Sequence, residues 1–269
     1  MPTPRRYTSP LHAAARFVAQ RMLLKPLVWG LLDVQVSGRQ HLKHFDGAAL
    51  VVSNHSSHLD APLIMGSLPR RLGTSVATGA ASDYFFQVWW RKPLTTLFFN
   101  AFPIDRSGLR GRNGMATDLL DSGVPILLFP EGTRSRTGAM ARFKAGSAAL
   151  CISRGVPCLP LAVVGAYEAM PQGRGWPLPG RPTVHVVIGP PMPPEPGETP
   201  RDFSQRIAVC VRSMYDEHAQ QIGLPTMDQR DRELVDGRLP RPDDIQGEPE
   251  PDIGETGPLD PEQDENPRD

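Results

Sequence analysis

An α/β fold is the architecture this sequence predicts: a mixed, largely parallel central sheet flanked by helices, with an N-terminal amphipathic helical segment and a disordered acidic C-terminal tail. Three observations predict it. Short apolar runs without polar alternation, such as Ala48–Ser53 and Cys158–Val164, suit strands buried on both faces. Helical segments of about ten residues separate such runs, the pattern of βαβ units. The charge is split: residues 226–269 hold 15 Asp/Glu against 5 Lys/Arg, a balance of −10. The whole chain carries 29 of each sign, so residues 1–225 carry +10.

Residues 10–32 predict one amphipathic helix or two short ones, with Leu11, Ala14, Ala15, Val18, Met22 and Leu23 near i, i+3, i+4, i+7 spacing. Pro26 should break or kink it. Arg5, Arg6, Arg16, Arg21 and Lys25 fall in residues 1–26 without an acid. Such a helix suits the interface of an anionic bilayer. It equally suits packing on its own domain with a solvated charged face.

Val34–Val36 alternates as a strand, and Ala48–Ser53 follows as a buried one. Leu59–Leu68 reads as a helix stopped by Pro69, Gly73–Thr78 as a strand, and Ser82–Trp90 and Pro93–Asn100 as helices. Phe102–Asp105 is a short strand, Gly114–Ser122 a helix ending at Gly123, and Pro125–Phe129 a strand. Phe143–Arg154 is a helix ending at Gly155, Cys158–Val164 and Thr183–Ile188 are strands, and Arg201–Ile222 is the last helix. The Pro- and Gly-rich stretches 171–182 and 189–200 are loops. From Pro225 onward the chain is too polar to offset its ordering entropy and is expected to be disordered. The expected units are therefore a basic amphipathic N-terminal segment 1–38, a main α/β domain 39–223 and a disordered acidic tail 224–269.

No run approaches the roughly 20 apolar residues of a membrane span. No signal peptide is expected at the start, because its cationic stretch is long, its apolar part is short and no small-residue cleavage site follows. Cys151, Cys158 and Cys210 form no CxxC pair and suit a reducing compartment.

Five segments carry chemistry. In Asn54-His55-Ser56-Ser57-His58-Leu59-Asp60, an offset of five places the histidine and aspartate about 140° apart on a continuous helix. They meet only if His55 sits in the loop after strand 48–53 and Asp60 opens the next helix. Asp60 then holds one imidazole nitrogen and leaves the other as a base. No G-x-S-x-G elbow supplies a protein nucleophile, so a base alone fits direct attack by a substrate alcohol. His58 has no companion cluster at metal-ligand spacing, and neither a metal nor a resident cofactor is expected. Phe102-Pro103-Ile104-Asp105-Arg106 ends a strand in an acid–base pair, and a guanidinium there suits a phosphate or a surface ion pair. Phe129-Pro130-Glu131-Gly132-Thr133-Arg134-Ser135 delivers a carboxylate and a cation to a strand end, where open α/β sheets bind ligands. Arg142-Phe143-Lys144-Ala145-Gly146 sets a cation near a helix N-terminus. Val156-Pro157-Cys158-Leu159-Pro160 is a stiffened approach to a buried strand.

In order and spacing these five segments resemble the blocks of the glycerophospholipid acyltransferases: N-H-x-S-x-x-D, F-x-I-D-R, F-P-E-G-T-R-S, F-K-x-G and V-P-x-x-P. The resemblance covers a domain of roughly residues 40–190 and implies the fold of glycerol-3-phosphate acyltransferases. It implies His55 as general base on a glycerol hydroxyl and Asp60 as its orienter. Arg106 and Lys144 would contact the acceptor phosphate, and Glu131, Gly132, Thr133 and Arg134 would line the acceptor site. The implied reaction moves a fatty acyl group from a thioester, acyl-CoA or acyl-carrier protein, to a lysophospholipid, 1-acylglycerol-3-phosphate first. Another lysophospholipid or lipid alcohol, a thioesterase, or a non-catalytic lipid-binding protein stand as alternatives. The family works at membranes, which implies a peripheral protein on the cytoplasmic face of the cell membrane. Phe85, Phe86, Trp89, Trp90, Phe98 and Phe99 then serve as an apolar patch or as helical core. His58 departs from the bulky Trp or Tyr common there. The +10 body carries no nucleic-acid-binding motif, so no nucleic-acid partner is expected.

Overall fold

In the computed structural model, residues 5–7, 9–81, 97–104 and 114–236 are described. The strands are β1 (Asp33–Ser37), β2 (Leu50–Ser53), β3 (Ala77–Ala81), β4 (Phe102–Ile104), β5 (Ile126–Leu128), β6 (Cys158–Val164) and β7 (Thr183–Ile188). They form a seven-stranded sheet in the order β1-β7-β6-β2-β5-β3-β4. All neighbours are parallel except β6 and β7. The mixed, largely parallel sheet expected from the sequence is thus the observed one.

Both faces are covered, which is why β2 and β6 are apolar at successive positions. Leu50, Val52, Ile126, Ala162 and Val164 pack on one side with Phe203, Ile207 and Val211. Those partners lie on the long helix α8 (Pro200–Gln221), introduced here with the shorter α5 (Gly114–Asp121), α6 (Gly146–Arg154) and α7 (Ala166–Ala169). Val51, Leu127, Leu159, Leu161 and Val163 face the other way, against Leu63 and Ile64 of α3 (Asp60–Ser67) and Val28 of α2 (Lys25–Leu31).

The N-terminal segment is one run of helix: α1 (Pro10–Phe17), a wider π-helical stretch Val18–Leu24, and α2. Pro26 does not break it. The π stretch closes i→i−5 bonds, seen where Lys25 N–H donates to Gln20 O, and so accommodates a residue with no N–H. The helix is inside-out for a water-soluble fold. Leu11, Val18, Met22, Leu23 and Leu27 are exposed, each by half or more of its surface. The cations turn inward instead. Arg16 donates to Thr74 O and Arg6 O, Arg21 to Gly66 O and Leu68 O, and Lys25 to Gly66 O. Arg39 adds a bond to Ser67 O. Arg21, Lys25 and Arg39 together satisfy the orphan carbonyls at the C-terminus of α3. Gly66 permits the approach, since a Cβ there would lie 2.6 Å from the Trp29 ring.

The structure departs from the sequence reading at several further places. Gly73–Thr78 is not a strand. Arg70–Ser75 is a helix (α4), its Thr74 and Ser75 hydroxyls donating back to Arg70 O and Arg71 O, and β3 begins at Ala77, where pairing with Ile126 starts. The helix expected from Phe143 starts at Gly146, because Lys144 N–H is bonded to Pro130 O at 3.0 Å. The 3₁₀ turn Arg39–Leu42 and α7 were not anticipated. The expected tail boundary also moves, because Met227–Val235 is a helix (α9). Its N-terminus has a reciprocal cap: Thr226 Oγ1 accepts from Gln229 N–H and Gln229 Oε1 accepts from Thr226 N–H. Arg212 pairs with Asp228 and Asp231 to hold it on α8. The expected helices Ser82–Trp90 and most of Pro93–Asn100, and tail residues 237–269, lie outside the described residues; residues 97–99 are helical.

The Thr226 cap is open to a direct measurement. Thr226→Ala should lower unfolding free energy by about 1 kcal/mol, read as a reduced denaturant midpoint at unchanged slope.

Candidate functional site

β2 and β5 run side by side and parallel, with Val52 opposite Leu128. Whatever follows each strand therefore emerges at the same sheet edge. After β2 come Asn54 and His55; after β5 come Phe129, Pro130 and Glu131. The His55 ring stacks on Phe129, centroids 3.9 Å apart and 15° from parallel. Asn54 fixes the exit. Its side-chain amide donates to Val163 O at 2.9 Å and accepts from Val163 N–H at 2.8 Å, replacing one rung of the β2–β6 ladder.

Asp60 is the first residue of α3 and is fully buried. Its Oδ2 accepts from His55 Nδ1 at 2.8 Å, Ser56 N–H at 2.7 Å and Ser57 N–H at 2.8 Å. An oxygen already receiving two amide protons acts as an acceptor toward the ring, so Nδ1 carries the hydrogen and Nε2 the lone pair. The helix-plus-loop placement that the five-residue offset required is the observed one. His55 keeps 20% of its side chain exposed.

Glu131 is 5% exposed, and both its oxygens are occupied. Oε1 accepts from His55 N–H at 2.7 Å and Oε2 from Ala141 N–H at 2.8 Å. Its carboxyl thus ties the histidine loop to the 141 loop instead of facing the solvent. Burial pushes its pKa up to about 8; the two N–H donors pull it down and the Asp60 charge adds to the rise. His55 is held on its other side too, because Ser135 N–H donates to His55 O at 2.8 Å.

Gly132 has φ +84 and a Cβ there would lie 2.6 Å from Lys144 Nζ. The bare backbone lets the Lys144 side chain lie across the loop. Thr133 is exposed and Arg134 half-buried. Beyond Lys144 a cavity of about 840 Å³ opens against α8, lined by Arg142, Phe143, Lys144, Arg201, Gln205 and Val209 among others. Arg106, Phe85, Phe86, Trp89 and Trp90 lie outside the described residues, while Phe98 and Phe99 are half-buried. His58 is exposed, and no group of three or more His, Cys, Asp or Glu among the described residues is arranged to hold a metal ion. The structure therefore brings His55, Asp60, Glu131, Gly132 and Lys144 to one sheet edge. The parts played by Asn54, Phe129, Ser135 and Ala141 escaped sequence reading. All but the Asn54 amide and the Phe129 ring act through backbone groups, which leave no residue-type signal.

Glu131 makes stability fall with pH. Between the ordinary carboxyl value of 4.5 and the folded value of about 8, the unfolded chain sheds its proton while the fold keeps it. The loss should amount to a few kcal/mol at most, accumulating at about 1.4 kcal/mol for each pH unit crossed in that window. Denaturant titrations from pH 4.5 to 8 should show this decline in wild type and a flatter profile in Glu131→Gln.

The Acyltransferase family matches residues 33–164, which hold His55, Asp60, Glu131 and Lys144. A 1-acyl-sn-glycerol-3-phosphate acyltransferase of Pseudomonas aeruginosa is 40% identical over 116 residues, 40% of this chain and 43% of that protein. One from Chlamydomonas reinhardtii is 30% identical over 162 residues, 60% of this chain and 47% of that protein. The chain thus spans about half the length of the curated relatives it matches. The crystal structure of the 1-acyl-sn-glycerophosphate (LPA) acyltransferase PlsC of Thermotoga maritima superposes with TM-score 0.57 at 28% identity, covering 73% of this chain and 79% of that one. On the family match, the shared fold and the five ordered blocks, residues 33–164 are a domain of the Acyltransferase family, similar to the 1-acyl-sn-glycerol-3-phosphate acyltransferases.

Proposed function

We propose that this protein is an O-acyltransferase that moves a fatty acyl group from a thioester, acyl-CoA or acyl-carrier protein, to the free hydroxyl of 1-acylglycerol-3-phosphate, giving phosphatidic acid. The observation that carries the reading is His55 oriented through Nδ1 by a buried Asp60, with part of its side chain left exposed. In the proposed step the acceptor oxygen attacks the thioester carbonyl while Nε2 takes the hydroxyl proton. The tetrahedral adduct collapses, the C–S bond breaks, and the imidazolium returns the proton to the leaving thiolate. The Glu131 carboxyl holds the His55 backbone in register for both transfers. Lys144, crossing Gly132 and bordering a cavity that also exposes Arg142 and Arg201, supports a phosphate-bearing substrate. Arg134 and Thr133 complete the proposed acceptor site, with Arg106.

The protein works on a membrane surface in this reading. Its contact there is the exposed row Leu11, Val18, Met22, Leu23 and Leu27. Because Arg16, Arg21 and Lys25 are spent on internal carbonyls, apolar burial at about 25 cal/mol per Å² outweighs attraction to anionic lipid. No helix among the described residues is long and apolar enough to cross a membrane, consistent with a helix lying in the interface.

Two measurements test this. Thiol release from palmitoyl- and oleoyl-CoA should require lysophosphatidic acid and fall at least roughly 100-fold in His55→Ala; release indifferent to every lysophospholipid would instead make the protein a thioesterase. Met22→Ser/Leu23→Ser should weaken co-sedimentation with neutral and anionic vesicles alike. Binding lost in moderate salt but kept in that double variant would return the weight to charge.

A further inference from the structure

The helix α9 lies outside the residues matched by the family, yet it reaches the back of the loop that holds His55. Its Arg230 is 4% exposed. One guanidinium nitrogen, Nη1, donates to Thr137 O at 3.3 Å, and the other, Nη2, donates to Glu168 Oε1. The guanidinium carbon lies 5.5 Å from the Tyr167 ring centroid. Gly138, at φ +79, makes room: a Cβ there would come within 2.5 Å of Nη1 and 2.9 Å of Tyr167 Cδ1. Tyr167 OH donates to Arg136 O at 3.0 Å. Two successive carbonyls of the loop, 136 and 137, are thus gripped from behind. The grip connects forward, because Thr137 N–H donates to Ser135 Oγ at 3.3 Å and Ser135 N–H donates to His55 O at 2.8 Å.

We infer that Arg230 is a positioning residue for catalysis: with Tyr167 it fixes the carbonyls of Arg136 and Thr137, and through Ser135 it sets the backbone of His55. An ion pair with Glu168 alone needs only a cation. Spanning Glu168 and Thr137 together needs the planar fork of an arginine. The inference rests on the acyltransferase reading for its kinetic effect, but its structural half does not.

The test therefore reads both. Arg230→Lys keeps a cation for Glu168 and loses the span to Thr137; Glu168→Gln removes the pair and keeps the contact to Thr137. Thiol release from oleoyl-CoA with lysophosphatidic acid, thermal melting and amide hydrogen exchange are followed in each full-length variant. In Arg230→Lys, kcat should fall at least roughly tenfold at unchanged KM for oleoyl-CoA. The Ser135 amide should exchange at least roughly tenfold faster while β2 and β5 amides do not change. Glu168→Gln should lower the melting temperature and largely keep kcat. Adding Tyr167→Phe to Arg230→Lys should cost less than the product of the single losses, since both act on one loop. Wild-type kcat and Ser135 exchange in Arg230→Lys would overturn the inference. A wild-type protein that releases no thiol defeats the acyltransferase reading, and Ser135 exchange then decides the positioning by itself.

Discussion

One carboxylate oxygen, Oδ2 of Asp60, holds together the end of β2, the start of α3 and the ring of His55. It receives three N–H donors at 2.7–2.8 Å, while the second oxygen of the same carboxyl has no hydrogen-bond partner among the described residues. Hydrogen bonds to a charged group contribute about 1.5–3 kcal/mol each. Removing this one would strand two buried amides and free the imidazole to turn. Asp60 also stands in the first turn of a helix, where the backbone dipoles favour an anion. A single side chain therefore starts the helix, closes the loop and chooses the tautomer.

Around that point the site is built from backbone more than from side chains. Glu131 and Ser135 grip His55 through its own N–H and C=O, and Asn54 substitutes for a strand neighbour at Val163. The parallel pairing of β2 with β5 makes this possible, because both loops leave the sheet at one edge. A side chain stacked on Phe129 and held at Nδ1 retains little freedom, so the entropy of orienting the imidazole is met on folding, before the proposed proton transfer.

Much of this was legible in the sequence. β6 begins and ends where its apolar run does, since a strand buried on both faces leaves no polar residue to blur its limits, and β7 keeps the expected limits Thr183–Ile188 although it carries the buried His185. The H-x4-D offset required a loop and a helix start, and only that arrangement lets the two side chains meet. The failures share a cause as well. Residues 73–75 have strand-like composition, but their hydroxyls close local helical bonds and tertiary contact at Gly73 decides the outcome. The cations of the first helix were expected to face an anionic bilayer or water, because no sequence pattern reports which carbonyls lack donors. The helix Met227–Val235 is polar and draws its stability from a cap and from Arg212 and Arg230, not from an apolar stripe.

The capping of α3 by Arg21 and Lys25 has a geometric consequence. The same helix begins at Asp60, which aims the His55 ring, and ends at carbonyls held by the helix that carries the exposed apolar row. Eight residues of α-helix measure about 12 Å. α3 is thus a strut of fixed length between that apolar row and the imidazole. With the row seated in lipid, as proposed, the strut sets the depth at which an acceptor hydroxyl has to present itself. A lipid whose hydroxyl rides higher or lower in the bilayer meets the same ring out of reach.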